Sequence, residues 1–411
     1  MLELLPETAR IEEGQLSIGG VPATQLAAEH GTPLLVYCEQ TIRSQVRAYR
    51  EAAPRALVVY GTKAFANVAL LRLLAEEGVG ADVSTLGELA FAQAAGIPGE
   101  RIVFHGNNKS DEELRAAAEA GALVALDSVE EAKRVADAEA WHVLIRLSPG
   151  VEAATHRSIQ TAHEESKFGL SPEAARSALH FARLLGLQVD GIHMHIGSQL
   201  VRVEESLLAL ERLLAFVDDT RTHWQWEPRI LDLGGGLGVR HNRDEQLPSV
   251  AEFVRPLVER IPDDVELILE PGRSLVGRAG VTLYRVGSVK ESGGVTYAAI
   301  DGGMSDNPRP QLYGVRYEAL LANRADELPT GVYRVAGKHC ESGDVLIEAA
   351  ELPHPEPGDL LAVPATGAYT LALGSTYNGV PRPAAVLVRD GEARVIRRRE
   401  TVEELLRFEA H

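Results

Sequence analysis

The sequence predicts an α/β chain built as a (β/α)8 TIM-type barrel plus a separate all-β domain. Eight short apolar runs alternate with amphipathic helical stretches between residues 57 and 269, the rhythm of parallel strands joined by crossover helices. After Gly272 the rhythm changes to short β-rich runs broken by Gly and Pro. The 411 residues also exceed the size at which one hydrophobic core usually keeps growing, so more than one domain is expected.

In chain order, residues 15–18 and 21–24 read as extended and are expected to return to the β-domain, making it discontinuous. Barrel strands are placed at 57–60, 79–83, 102–105, 123–126, 143–147, 189–195, 230–233 and 265–269. The helices between them fall at 68–77, where Leu70, Leu71, Leu73 and Leu74 form an apolar face, and at 86–95, 111–120, 128–138, 172–185, 203–218 and 249–261. Strands of the β-domain follow at 281–288, 296–301, 332–335, 360–363 and 385–388. The expected division is an N-terminal segment (1–30) joining the β-domain, a barrel (31–275) and a C-terminal β-domain (276–411). An open sheet shares the same alternation, but eight parallel-type strands fit closure better.

With 45% hydrophobic and 24% charged residues the chain is expected to fold throughout, which excludes a disordered or fibrous protein. A net charge of −18 disfavours nucleic acid and anionic lipid, and the run Arg397, Arg398, Arg399 is offset by Glu400, Glu403 and Glu404. Two cysteines, Cys38 and Cys340, and an N-terminus without a basic-then-apolar leader point to a reducing, cytoplasmic compartment. No apolar stretch approaches the length of a membrane span.

Chemistry-capable side chains collect at the C-terminal ends of the strands. Lys63 follows the first strand, Asp82 lies in the second, His105 ends the third, and Arg146 lies late in the fifth. His193 and His195 end the sixth, Gly234–Gly236 follow the seventh and Glu270 follows the eighth. In a barrel these ends converge on the face that carries active sites. Lys63 is either a solvated surface charge or an amine projecting into the mouth, where Asp82 could hold it or a cofactor substituent. His193 and His195, two residues apart on a strand, share a face. They read as a metal pair, as a ring stacked on a flat cofactor, or as satisfied core histidines; only His105 offers a further histidine at a strand end. Ser198 suits a phosphate oxygen. The glycines of LDLGGGLG fail the Rossmann spacing but free backbone N–H groups for an anion, after strand seven, where barrels bind phosphate.

Glu270, followed by Pro271, Gly272 and Arg273, is either an ion-pair partner or the carboxylate that keeps a pyridinium nitrogen protonated, which favours a strong electron sink. Cys38, ending LLVYC, reads as a buried hydrophobe. Cys340, in the polar loop GKHCESGD with Glu341 beside it, reads as a reactive thiol. Arg309, in DNPRPQLY, is expected to be presented from a loop with its fork open to a carboxylate, the alternative being a surface or dimer-contact arginine.

The ordered motifs YGTKA, GADVSTLGEL, FHGNNKS, ESKFG, HMHIGSQ, DLGGGLG, EPGRS, DGGMSDNPRPQLY, CESGD, GAYT and YNGVPRPA span nearly the whole chain. By them the sequence resembles the alanine-racemase-fold, pyridoxal-phosphate-dependent decarboxylases, most closely their diaminopimelate-cleaving branch. The resemblance implies pyridoxal 5'-phosphate as cofactor and no metal. It implies Lys63 as the Schiff-base lysine with Asp82 beside it, His195 stacked on the ring, and Glu270 paired with the ring nitrogen. Ser198, Gly235, Gly236 and Tyr369 would hold the phosphate, Gly272 would contact the cofactor, and Arg273 would reach phosphate or substrate. Arg309 and Tyr313 would take the distal carboxylate end of the substrate and Glu341 its distal ammonium, with Tyr377 nearby and Cys340 as proton donor. In this family the cysteine and glutamate come from the neighbouring subunit, so a homodimer with shared active sites is implied. Departures are Gly61 and Thr62 for the usual Ala and Val/Leu, Phe65 for Asn, and Thr376 for the Asn before Tyr377.

The function implied is decarboxylation of meso-2,6-diaminopimelate to L-lysine and CO2, the last step of lysine biosynthesis. The same-class rival, an ornithine, lysine or arginine decarboxylase, has no distal carboxylate to need Arg309. A racemase is opposed by Glu270. From other classes stand a metal-dependent barrel hydrolase using His193 and His195, and a non-catalytic homologue, the latter opposed by Lys63, Glu270 and Cys340 together.

Overall fold

Residues 1–151 and 167–410 are described in a computed structural model of the chain. They fall into two units, one of residues 45–238 and 247–274, the other of 1–44, 239–246 and 275–411.

The first unit is a closed barrel of β1 (Ala56–Gly61), β2 (Gly80–Val83), β3 (Ile102–Phe104), β4 (Leu123–Leu126), β5 (His142–Arg146), β6 (Gln188–His193), β7 (Ile230–Asp232) and β8 (Glu266–Leu269). Neighbours pair in parallel all the way round, and Leu267 of β8 opposite Ala56 of β1 closes the ring. The strands read as continuous apolar runs because both faces are covered. Val59, Val103, Ala125, Leu144, Ile230 and Ile268 fill the interior as one cluster. Several helices start at side-chain caps: Asn67 accepts from Leu70, Thr85 from Glu88, and Ser110 and Ser249 each close a capping box with a glutamate. The helix expected at 203–218 runs on as Glu204–Trp224.

The second unit carries a sheet ordered Val345–Leu352, Gly331–Ala336, Val295–Ile300, Gly280–Ser292, Leu34–Cys38, Ala384–Arg389, Glu392–Arg397. Leu360–Pro364 also pairs with Gly280–Ser292. Leu34–Cys38 falls within the span expected for the barrel, yet it lies between Gly280–Ser292 (antiparallel) and Ala384–Arg389 (parallel). Five consecutive apolar residues fit a barrel strand and a buried sheet strand equally well, so local pattern could not place it. Residues 10–12, 15–18 and 21–22 form a three-stranded antiparallel sheet, and the helix Ala23–His30 takes up two residues expected to be extended. Among the described residues no helix is long and apolar enough to cross a membrane.

Candidate active site

Lys63 sits in the turn Thr62–Ala64 directly after β1, and its Nζ donates to Asp82 Oδ2 at 2.7 Å. Asp82 lies opposite Gly61 in the β1–β2 ladder and is buried, while the lysine side chain is half exposed. The amine is therefore held at the mouth by a fixed carboxylate and still open to a reactant. Thr62 Oγ1 donates to the Asp82 carbonyl at 2.7 Å and locks the turn to β2.

Glu270, just past β8, is buried and faces histidines from across the barrel. His105 Nε2 lies 2.6 Å from its Oε1 and His193 Nε2 3.3 Å from its Oε2, with the two rings 4.5 Å apart. Asp232, opposite His193 in the β6–β7 ladder, completes a buried group of four whose donor atoms lie within 4.8 Å of one another. The metal reading of the sequence thus moves from His193 and His195 to these four. The distances favour hydrogen bonding over ligation, because two ligands of one tetrahedral ion bound at about 2 Å stand roughly 3.3 Å apart, well beyond the 2.6 Å between His105 and Glu270.

Burial holds His193 neutral, its pKa pushed down to about 3. Burial, and then the Glu270 charge, push Asp232 well above the usual carboxylate range. Burial also opposes the charge on Glu270, but His105 and His193 outweigh it and hold the group well below the usual range. β6 ends at His193, so His195 belongs to the loop beyond it rather than to the strand. It accepts from the Gly235 N–H at Nδ1, 3.2 Å, which puts its own proton on Nε2. Burial, and then the charges of Lys63 and Arg146, hold this ring well below the ordinary imidazole range. Arg146 itself is buried, 3.5 Å from Asp127.

The glycine loop after β7 threads between two other strand ends. A Cβ on Gly235 would stand 2.2 Å from the Glu270 carbonyl, and one on Gly234, at φ +64, would stand 2.8 Å from His195 Nδ1. Beside the loop, Arg273 is buried and donates to Ser198 Oγ at 3.0 Å. Gly272 lies in the Glu270–Arg273 turn, whose Pro271 carbonyl accepts from the Gly61 N–H.

The remaining expected residues lie in the second unit. Arg309 opens the helix Arg309–Tyr313 and is buried, which corrects its expected loop position and removes the surface alternative. Tyr313 ends that helix, half-buried. Cys340 and Glu341 are exposed, and the Cys340 N–H donates to Asn378 Oδ1 at 3.1 Å, next to Tyr377. Tyr369 is half-buried with a left-handed backbone, φ 58. Cys38 is fully buried, as expected. Of ESKFG, Glu165 and Ser166 lie outside the described residues.

The pyridoxal binding domain of the pyridoxal-dependent decarboxylases matches residues 39–277. The chain belongs to this family. It is 43% identical to a diaminopimelate decarboxylase of Bacillus subtilis (strain 168), over 97% of this chain and 96% of that one. It is 44% identical to one from Actinosynnema pretiosum subsp. auranticum, over 99% and 95%. The crystal structure of diaminopimelate decarboxylase from M. jannaschii in co-complex with L-lysine matches with a TM-score of 0.91 at 34% identity, over 98% of each chain.

Within this decarboxylase several polar residues went unassigned in the sequence reading. Asp232 was visible in DLGGGLG, and Lys109 in FHGNNKS. Lys109 proves fully buried, with Nζ 3.0 Å from both oxygens of Glu131 and bonded to the Gly106 and Ala125 carbonyls, which ties the loop after β3 to β4 and to the helix Glu131–Asp137 that follows it. His241 and Tyr317, the partners of Arg309, carried no motif signal.

Proposed function

We propose that the protein decarboxylates meso-2,6-diaminopimelate to L-lysine and CO2 with pyridoxal 5'-phosphate. What carries the reading is a half-exposed lysine amine held by a buried carboxylate at the barrel mouth, in a chain over 40% identical to diaminopimelate decarboxylases along nearly its whole length.

The residues fit the cofactor. Lys63 offers the amine that would hold its carbonyl carbon, and Asp82 keeps that amine in place. Arg273, with Ser198 on its guanidinium, gives the phosphate a cation and a hydroxyl, and the glycine loop of Gly235 and Gly236 would approach it beside them, with Gly272 and Tyr369 in the same role. The neutral ring of His195 suits stacking, and the buried anion of Glu270 suits a protonated ring nitrogen. When bound, the cofactor supplies the electron sink for the carbon that loses CO2.

The chain's own residues then have distinct tasks. Glu270 keeps a proton on the ring nitrogen, and the two buried histidines keep Glu270 charged. Arg309 and Tyr313 take the distal carboxylate and Glu341 the distal ammonium, with Tyr377 beside them. After CO2 departs, Cys340 gives a proton to the same carbon. In this reading Cys340 and Glu341 reach the site of the neighbouring subunit, so the working enzyme is a cytoplasmic homodimer with shared sites.

CO2 release from meso-diaminopimelate, L-lysine and L-ornithine tests the assignment. The first is expected to be turned over at least about 10²-fold faster, because an arginine left desolvated and unpaired penalises the others. Comparable turnover of either other amino acid would overturn it in favour of a diamine-forming decarboxylase.

A further inference from the structure

The buried guanidinium of Arg309 is held asymmetrically. Its Nη1 makes two hydrogen bonds, to Tyr317 Oη at 2.7 Å and to His241 Nε2 at 2.9 Å. Arginine can only donate, so His241 Nε2 must be the unprotonated nitrogen and the ring proton must sit on Nδ1. Nδ1 lies 3.5 Å from Glu245 Oε2, and Glu245 is itself pinned by the His241 N–H at 2.7 Å and by Asn242 Nδ2 at 3.1 Å. The carboxylate of Glu245 thus selects the tautomer that lets His241 accept. The His241 and Tyr317 rings meet edge to face, 5.4 Å apart and 88° between planes, which fixes both acceptors relative to each other. A terminal guanidinium nitrogen carries two hydrogens, and both are now engaged. Nε, by contrast, is buried without a hydrogen-bond partner among the described residues.

We infer that His241 and Tyr317 are positioning residues that engage Nη1 of Arg309 and so commit its Nε/Nη2 edge as the two-toothed fork for the substrate's distal carboxylate. The inference deepens the proposed function and rests on its assignment of Arg309. Two consequences follow from the geometry. A guanidinium free to rotate would offer a carboxylate any of its edges, whereas this one offers a single edge in a fixed plane. Selectivity for ligands bearing that carboxylate therefore depends on two residues placed behind the arginine, and the dependence is absent for ligands that lack the group.

The test compares binding of L-lysine and cadaverine to the holoenzyme by calorimetry. The two differ only in the carboxylate. Tyr317→Phe and His241→Leu are expected to weaken L-lysine by about tenfold or more each, the loss of one oriented charge-assisted contact, and to leave cadaverine within about threefold. His241→Gln, whose amide oxygen can accept where Nε2 did, is expected to recover most of the L-lysine affinity. Visible absorbance of the bound cofactor and the thermal midpoint report whether each variant is folded and loaded. Should His241→Leu fail to fold, the near-isosteric Tyr317→Phe carries the test alone. Arg309→Ala separates the two levels: if it abolishes the L-lysine preference while Tyr317→Phe and His241→Leu preserve it, the positioning role is overturned and the proposed function stands. If Arg309→Ala itself preserves the preference, both are overturned.

Discussion

Glu270 keeps its charge inside a buried site. Burial opposes it, and His105 and His193 outweigh burial. Glu270→Gln should slow CO2 release by about 10²-fold or more, since a preorganised charge in a dry site matters most when charge flows toward it. Cofactor retention, measured by equilibrium dialysis, should fall far less; equal losses would mark a merely structural carboxylate. Lys63→Ala should remove the cofactor linkage that borohydride fixes, read by mass spectrometry of the reduced protein, together with activity. His193 gives a stability prediction. Its folded pKa of about 3 lies below the 6.5 of the unfolded chain, so between these values the unfolded state binds more protons. Stability contributed by the neutral ring is complete above pH 6.5 and is lost as pH falls toward 3. Denaturant titrations across that window should show a slope that flattens in His193→Gln. The strand-end positions of Lys63, Asp82 and Glu270 were legible because a β/α rhythm fixes where each strand stops. That His105 would meet Glu270 was not, because closure of the barrel joins residues 165 apart in the chain.

Turns and loops show what local sequence can and cannot carry. LDLGGGLG announced a Cβ-free loop, but the reason for the second glycine is the Glu270 carbonyl, which a Cβ at Gly235 would meet at 2.2 Å. Gly235→Ala must push that loop from the end of β8, at a cost of about 1–3 kcal/mol. The expected result is a lowered thermal midpoint together with weaker cofactor retention; a fall in the midpoint with cofactor affinity intact would separate the loop from the cradle. In the turn before Arg309, Asp306 is buried against Tyr284 Oη at 2.5 Å and the Gly303 N–H at 2.9 Å. Burial raises its pKa from 3.8 to about 7. Here the folded state holds the proton more tightly, so stability falls as pH rises from about 4 to about 7. Asp306→Asn keeps the shape and removes the titration, and its unfolding free energy at pH 8 should exceed the wild type's. No gain at pH 8, or an unchanged slope below it, would contradict a protonated Asp306. DGGMSDN reads as a tight turn from its glycines; the burial of its aspartate depends on Tyr284, from a strand elsewhere in the sheet.

At the scale of the whole molecule, the β-rich unit is assembled from three stretches of chain, 1–44, 239–246 and 275–411. Residues 15–18 lie in this unit in a three-stranded sheet of their own, whereas Leu34–Cys38, inside the barrel span expected from residue 31, is a strand of the large sheet. That strand bonds to Gly280–Ser292 on one side and Ala384–Arg389 on the other, so without it the sheet is cut in two and both cut edges are exposed. Its side chains also share a core: Leu34 and Val36, with Leu16, Ile18 and Leu26 from the same N-terminal stretch, pack with Val281, Leu283, Ala384, Val386 and Val388. Five such aliphatic side chains at about 1.5–3 kcal/mol each match the entire stability of an ordinary domain, about 5–15 kcal/mol. A fragment of residues 275–411 is therefore expected to lack a cooperative thermal transition by circular dichroism and to aggregate through its open edges. The same fragment preceded by residues 1–44 on a flexible linker is expected to regain a cooperative melt, because the linker restores the missing strand and its core residues without any of the barrel. A cooperative melt of 275–411 by itself would show that the N-terminal strand is an addition to a finished sheet and not its centre.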